Sequence, residues 1–239
     1  MQALILAAGA GSRLRPLTSL LPKPLVKVGG VPMAVRQICA LKRAGIADFV
    51  VNLGWGADRI RGALGDGREL GVRIRYSFEA HTAEEALETR GGIAKALPLL
   101  TDQGDDAFLV VAGDIVTAYD YRRLVEAAGR LRADETLAHL VLVPNPAYHE
   151  QGDLGLTREG LLTESGPKHT FSSLGAYHRA MFEGVPAARA PLFPWMRQFI
   201  QAGRVSGELF AGPWANVGTL EELSRAQALA ELIDGERRS

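Results

Sequence analysis

Leu6-Ala7-Ala8-Gly9-Ala10-Gly11-Ser12-Arg13-Leu14-Arg15-Pro16-Leu17-Thr18, followed closely by Pro22-Lys23-Pro24-Leu25, is the most informative stretch of the chain. The apolar run Ala3 to Ala7 reads as a buried strand, so the small residues after it form a loop at a strand end. Such a loop lets backbone N–H groups approach phosphate oxygens without interference from Cβ atoms. Two familiar phosphate loops fit badly. A dinucleotide fingerprint wants a third glycine where Leu14 stands, and a P-loop wants Gly-Lys-Ser/Thr where this chain has Gly11-Ser12-Arg13. A bare Gly-x-Gly-x-Arg is most often a solvent-facing turn, but the prolines on either side of Lys23 argue for more. They stiffen the segment and hold the ammonium in place at little entropic cost. A solvated lysine gains nothing from that, whereas a polyanion such as a nucleoside triphosphate gains both a point charge from Lys23 and a bidentate fork from Arg13.

Working outward, further short apolar runs occur at Phe49 to Leu53, Arg73 to Ser77, Ala107 to Ala112 and Leu137 to Val143. Helical patterns fall between them. Pro32 stands at the first helical position of one, with Ala34, Ile38 and Leu41 on a face and Gly45 just past the end. Asp58 is a candidate cap for a second, Gly92 to Leu100 makes a third and Tyr121 to Ala133 a fourth. Alternating strands and helices specify an α/β, Rossmann-like three-layer α/β/α fold on a mostly parallel mixed sheet, with ligands at the carboxyl ends of the strands. After Val143, prolines and glycines punctuate shorter segments, which predicts small β additions and a cover over the sheet edge. From Thr219 onward, Leu220, Leu223, Ala226, Ala230 and Ile233 share a stripe and predict a closing helix, with a frayed polar end from Asp234. The organisation expected is one unit over 1–239, with a nucleotide-binding half (1–143) and a half that holds the acceptor and the closing helix (144–239).

The chain has 239 residues, with 27 Lys+Arg against 27 Asp+Glu, and a single Cys39. This balance argues against a protein that wraps nucleic acid or lies on an anionic membrane. One cysteine builds no disulfide framework and no paired-cysteine zinc site. The N-terminus lacks a basic segment ahead of its short apolar run, and nowhere do 18 apolar residues run together. We therefore expect a cytoplasmic protein, monomeric or a small homo-oligomer.

Leu109-Val110-Val111-Ala112-Gly113-Asp114 is a buried strand ending in a carboxylate. Asp114 at that rim suits Mg²⁺, which takes one or two protein oxygens and leaves its other positions to phosphates and water. Further on, Trp214-Ala215-Asn216-Val217-Gly218-Thr219 opens the last helix, and Thr89, Gly91 and Gly92 lie at the start of an earlier one.

These motifs together are similar to the signature of sugar-1-phosphate nucleotidylyltransferases: Leu-x-Ala-Ala-Gly-x-Gly-x-Arg-Leu-x-Pro-Leu-Thr, then Pro-Lys-Pro-Leu, then Val28-Gly29-Gly30-Val31-Pro32-Met33. The resemblance implies a Rossmann-like fold, Mg²⁺, and transfer of a nucleoside monophosphate from an NTP to a sugar 1-phosphate with loss of pyrophosphate. It assigns nucleotide contacts to Leu6, Ala8, Gly9, Gly11, Ser12, Arg13, Lys23, Thr89 and Gly91, with Arg13 and Lys23 catalytic. Asn216 stands where the family has an acidic metal ligand, so Asp114 and Asn216 form the implied metal pair. Ala86-Leu87-Glu88-Thr89-Arg90-Gly91-Gly92-Ile93 and Thr170-Phe171-Ser172 resemble the N-acetylmuramate-1-phosphate uridylyltransferase group, although Arg90 replaces a glycine. This favours UTP and N-acetylmuramate 1-phosphate, and implies sugar-phosphate contacts from Gly152, Lys168, Thr170 and Ser172. A guanylyl- or thymidylyltransferase of mannose or glucose 1-phosphate, and a non-catalytic nucleotide-binding relative, are the alternatives. Glu84, Glu85 and Glu88 read as a solvated face.

Overall fold

The computed structural model describes residues 1–80, 82 and 85–236. The first half follows the apolar pattern. β1 (Gln2–Leu6) leads through the small-residue loop to α1 (Leu17–Leu20), the hairpin β2 (Lys27–Val28) and β3 (Val31–Pro32), and α2 (Met33–Arg43). Then come β4 (Asp48–Leu53), α3 (Ala57–Leu64), β5 (Arg73–Phe78), α4 (Glu88–Thr101) and β6 (Ala107–Ala112). β7 (Ile115–Thr117), α5 (Tyr121–Arg130) and β8 (Ala138–Val143) complete that half. The second half contributes β9 (Gly155–Leu156), β10 (Leu162–Thr163), β11 (Thr170–His178), α6 (Arg197–Gln201), β12 (Val205–Leu209), β13 (Trp214–Asn216) and α7 (Leu220–Glu236).

The main sheet runs β12-β8-β11-β6-β1-β4-β5. β1 is parallel to both β4 and β6, and only β11 runs against its neighbours. Successive β1 residues serve opposite layers, as the two-residue strand period requires. Ala3 and Ile5 pack with Ile38, Leu41 and Ile60 of α2 and α3, whereas Leu4 packs with Ile93, Ala96 and Leu100 of α4. A third cluster joins Ala226, Ala230 and Ile233 of α7 to Leu14, Val26 and Met33 around the first loop. The fold is the expected three-layer α/β arrangement.

Its second half departs from expectation. β11 is not a cover at the sheet edge but a central strand between β6 and β8, and β12 extends the same sheet. The polar Thr170-Phe171-Ser172-Ser173 run hid it, because its two buried hydroxyls are satisfied internally: Ser172 Oγ donates to Val141 O at 2.6 Å and Thr170 Oγ1 to Asn145 Oδ1 at 2.9 Å. Helix ends also shift. Gly56, in the left-handed conformation, precedes α3 where Asp58 was expected to cap, and Asp58 lies in the first turn. Pro32 is the capping residue of α2 rather than its first helical residue. α4 begins at Glu88, so Gly91 and Gly92 lie inside it. α5 stops at Arg130, and the extended Leu131 turns into the core. In α7, Leu220 is half exposed, and Asp234 is held by Arg36 at 2.7 Å instead of fraying.

A charge cluster ties β8 to β12. Glu208 accepts hydrogen bonds from the Tyr119 hydroxyl and the Arg123 guanidinium, with the His139 ring 3.9 Å away. Burial pushes the Glu208 carboxyl up, but His139, Tyr119 and Arg123 outweigh it and bring it from its ordinary 4.5 down to about 2. A carboxyl depressed in this way stabilises the fold above its unfolded pKa and loses that contribution as pH falls towards its folded one. We expect Glu208→Gln to melt below the parent chain near pH 7, with the gap closing between about pH 4.5 and about 2. Thermal melts across that window check it, and a gap independent of pH would assign the cluster to packing instead.

Candidate active site

Four strand ends meet where the phosphate-type loop leaves the sheet. Gly113 N–H donates to Leu6 O at 2.9 Å, which sets the exits of β6 and β1 side by side. The loop itself is held by three features. Gly11 takes φ +62°, a left-handed conformation that L side chains rarely adopt, and Thr18 Oγ1 donates to its carbonyl at 2.7 Å. An ideal Cβ at Gly54 would stand 2.5 Å from Ala8 O, so the β4 exit packs directly on the loop backbone. Asn52, a buried amide inside an apolar strand, accepts the Ala7 N–H at 2.6 Å and donates to Glu79 Oε1 at 2.6 Å. Glu79 in turn accepts the Leu87 N–H at 3.1 Å. One amide and one carboxylate thus tie the first loop to the segment that opens α4. Burial pushes the Glu79 carboxyl up, against the pull of those two hydrogen bonds.

A cavity of about 380 Å³ opens over these ends. Leu6, Ala8, Gly9, Thr89, Asp114 and Asn216 line it, so the structure brings together residues that the sequence had drawn from four separate motifs. Ala10, Asn52, Glu79, Glu88 and Ser173 line it too and were missed. For Asn52 the signal was present, since a lone amide in Phe49-Val50-Val51-Asn52-Leu53 must find buried partners. Gly11, Ser12, Arg13 and Lys23 are not among its lining residues. Lys23 starts a short 3₁₀ turn whose Pro24 and Leu25 are buried, and its ammonium is ion-paired with Asp114. The Arg13 guanidinium lies 3.0 Å from where a Gly218 Cβ would stand.

Asn216 comes to Asp114 through a small second sheet. β13 pairs antiparallel with β7, Asn216 faces Ile115, and Val217 N–H donates to Asp114 O at 3.0 Å. Asn216 Oδ1 is buried and accepts no hydrogen bond from any described group. An acceptor oxygen left bare inside a protein is costly unless something else fills it.

The acceptor residues expected from sequence are placed differently. Ser172 is fully buried and bonded to Val141, and the neighbouring Ser173, at φ +63° in a register shift of β11, lines the cavity instead. Thr170 is turned inward onto Asn145. Gly152 is needed because a Cβ there would stand 2.7 Å from Asn145 Oδ1, so protein rather than ligand fills its open side. Lys168 is exposed and its carbonyl accepts from Asn145 Nδ2 at 2.9 Å. Gly91 is buried under Ala188 O, which an added Cβ would meet at 2.3 Å. Arg90 turns away from the cavity to stack its guanidinium over Trp195, 5.9 Å from the ring centroid. Of the acidic run, Glu84 lies outside the described residues, Glu85 is exposed, and Glu88 pairs with Arg189 at 3.1 Å while lining the cavity.

A family model, nucleotidyl transferase, matches residues 2–153. The chain belongs to the nucleotidyl transferase family. It is 44% identical to an N-acetylmuramate alpha-1-phosphate uridylyltransferase of Neisseria meningitidis serogroup B, over 96% of this chain and 98% of that one. It is 39% identical to a mannose-1-phosphate guanylyltransferase of Oryza sativa, but over 53% of this chain and only 34% of the relative. In structure it superposes on a Bacillus anthracis protein described as a glucose-1-phosphate thymidylyltransferase, with a TM-score of 0.82 at 23% identity, over 96% of this chain and 95% of that one. That likeness concerns the fold. Members of the family work with a divalent cation. Asp114 and Asn216 suit one, as a carboxylate and a bare amide oxygen side by side are hard-ion donors. Among the described residues no group of three or more His, Cys, Asp or Glu could hold a metal.

If Asn52 carries the tie between loop and α4, Asn52→Ala leaves the Ala7 N–H and the Glu79 carboxyl without it in a buried place. That costs about 2–3 kcal/mol of stability, readable as a lower urea midpoint at unchanged slope. A midpoint equal to the parent's would show that the loop holds itself.

Proposed function

We propose that the chain transfers a uridylyl group from UTP to N-acetylmuramate 1-phosphate and releases pyrophosphate. The observation that carries this reading is the juxtaposition of Lys23, Asp114 and the bare Asn216 oxygen at the mouth of a glycine-lined loop. The Neisseria relative, alike over nearly the whole of both chains, supports the choice of nucleotide and acceptor.

In this mechanism the acceptor's phosphate oxygen attacks the α-phosphorus in line. A new P–O bond forms, the bond to the β-phosphate breaks, and pyrophosphate carries away the electron pair. A phosphate monoester is already anionic at neutral pH, so no general base is needed. Catalysis is positioning and charge neutralisation. Backbone groups of Leu6 to Ser12 receive the triphosphate, and Arg13 forks its β and γ oxygens. Thr89, in the cavity wall, faces base and ribose, whereas Gly91 packs under the 188–190 segment and makes no contact with them. In the absence of substrate Lys23 and Asp114 neutralise each other. When the nucleotide is present, the ammonium turns to the α-phosphate, and Asp114 with Asn216 would hold Mg²⁺, which would supply positive charge against the phosphates. Residues 1–143 hold the nucleotide, and 144–239 shape the acceptor side, with Ser173 in the place expected for Ser172. We place the reaction in the cytoplasm, where its phosphorylated substrates are. Among the described residues no helix is long and apolar enough to cross a membrane.

Pyrophosphate release measured for UTP, dTTP, GTP and CTP against N-acetylmuramate, glucose and mannose 1-phosphates tests the assignment. UTP with N-acetylmuramate 1-phosphate is expected to dominate, and a hexose with GTP or dTTP doing so would overturn it. Lys23→Ala should lower kcat by about 10²–10³, the scale of a lost transition-state donor. Equal turnover would remove Lys23 from the chemistry. Asn216→Asp adds a charge to the metal pair and should lower the Mg²⁺ concentration at half-maximal rate. An unchanged or higher requirement would exclude Asn216 as a ligand.

A further inference from the structure

Beside the reaction cavity lies a second one of about 340 Å³, between the 144–148 loop and α7. Asn216 belongs to the walls of both, so the two meet at the proposed metal pair. Most of the second cavity is apolar and aromatic: Pro144, Pro146, Trp214 and Leu229, with Tyr148 at its edge. The Trp214 indole is fixed in place by donating to Ser172 O at 3.1 Å. Its charged lining residues are Glu222 and Arg225. Glu222 is buried and engaged, accepting the Gly218 N–H at 2.6 Å in a capping arrangement with Thr219. Arg225 reaches the rim, paired at 2.6 Å with Glu221 one turn earlier, and both side chains are more than half exposed. Such a pair is worth less than about 1 kcal/mol, so a better-placed carboxylate displaces it.

The proposed acceptor differs from N-acetylglucosamine 1-phosphate by one substituent, a lactyl ether that bears a methyl group and a carboxylate. A carboxylate needs a cation to receive it. The reaction cavity is lined by Glu79, Glu88 and Asp114, of which Asp114 is paired with Lys23 and Glu88 with Arg189, and no cation stands among its lining residues. The third cavity at this rim, about 400 Å³ and walled by Phe171, Tyr177 and Phe193, has Glu88 as its charged lining residue. Of the three, the second alone carries a guanidinium in its wall, that of Arg225.

We propose that the cavity bounded by Trp214, Tyr148 and Arg225 is the subsite that selects an acidic sugar phosphate: Arg225 binds the lactyl carboxylate and the apolar wall receives the methyl group. The proposal rests on the acceptor reading above. A planar guanidinium offers a carboxylate two parallel hydrogen bonds, and the neutral acceptor forfeits them.

The experiment compares N-acetylmuramate 1-phosphate with N-acetylglucosamine 1-phosphate, each with UTP and Mg²⁺, on the full chain and its Arg225→Gln and Arg225→Lys variants. The quantity read is the ratio of kcat/KM between the two acceptors. Expected is a ratio well above one in the parent, falling about 10- to 100-fold in Arg225→Gln through the KM of the acidic acceptor, and partly recovered in Arg225→Lys. Melting temperatures identify any loss through unfolding, which would lower both acceptors alike. An unchanged ratio in Arg225→Gln, or a parent ratio near one, overturns the subsite while leaving uridylyl transfer standing. A parent that turns over neither acceptor overturns the acceptor reading, and the subsite with it.

Discussion

The ion pair between Lys23 and Asp114 is the constraint on which the rest of the site depends. Its partners are 91 residues apart and come from the first loop and the exit of β6. Neither charge would be well placed alone. Pro22 and Pro24 restrict the backbone around the lysine, and the Gly113 N–H bond to Leu6 O fixes the strand exit from which Asp114 projects. A partly buried cation and anion at the mouth of a cavity are costly to separate, unless a ligand brings a replacement for each. A phosphate chain accompanied by a divalent cation does that, supplying an anion for the ammonium and a cation for the carboxylate. The pair is therefore a structural latch between two strand ends and, in the reaction proposed above, the receptor for a metal-bound polyanion.

The same economy shows in the buried tie through Asn52 and Glu79. Three chain segments converge there, and all their polar groups are accounted for: Ala7 N–H and Leu87 N–H as donors, the amide as both donor and acceptor, the carboxylate as acceptor. A fully paired polar network of this kind specifies one geometry in a way that an apolar contact does not. It sets the distance between the loop proposed for the triphosphate and the helix start proposed for base and ribose.

The sequence disclosed the first half of the fold because each strand there is a continuous apolar run, the pattern of a sheet covered on both faces. It disclosed the loop because small residues, two prolines and two cations have few other reasons to occur together. β11 stayed hidden for the opposite reason. Thr170, Ser172 and Ser173 look like loop residues, yet each buried hydroxyl finds an oxygen across the strand, and that pairing is not visible without the neighbouring chain. Ser172 and Ser173 illustrate the limit at single-residue scale. The register shift near Ser173 decides which of the two faces the cavity, and a slip of one position along a strand exchanges its faces. Arg90 was ambiguous in sequence and is not in the structure, because Trp195, more than a hundred positions away, supplies the ring it covers.

Asn216 is where local sequence and three-dimensional placement have to be weighed together. As a turn residue ahead of a capped helix an asparagine needs no further explanation. Its oxygen, however, is buried beside Asp114 and receives no donor from the described residues, while the backbone around it is pinned by β13 and by Val217 N–H. A flexible loop would let the amide rotate towards water; this one does not. An amide also differs from a carboxylate in what it attracts before substrate arrives. With one negative charge at the pair instead of two, Lys23 suffices to neutralise the rim, and a free divalent ion has less to gain by entering alone. In the reaction proposed above, the charge count at these two residues then ties arrival of the cation to arrival of the triphosphate, with the Lys23 ammonium as the one group that moves.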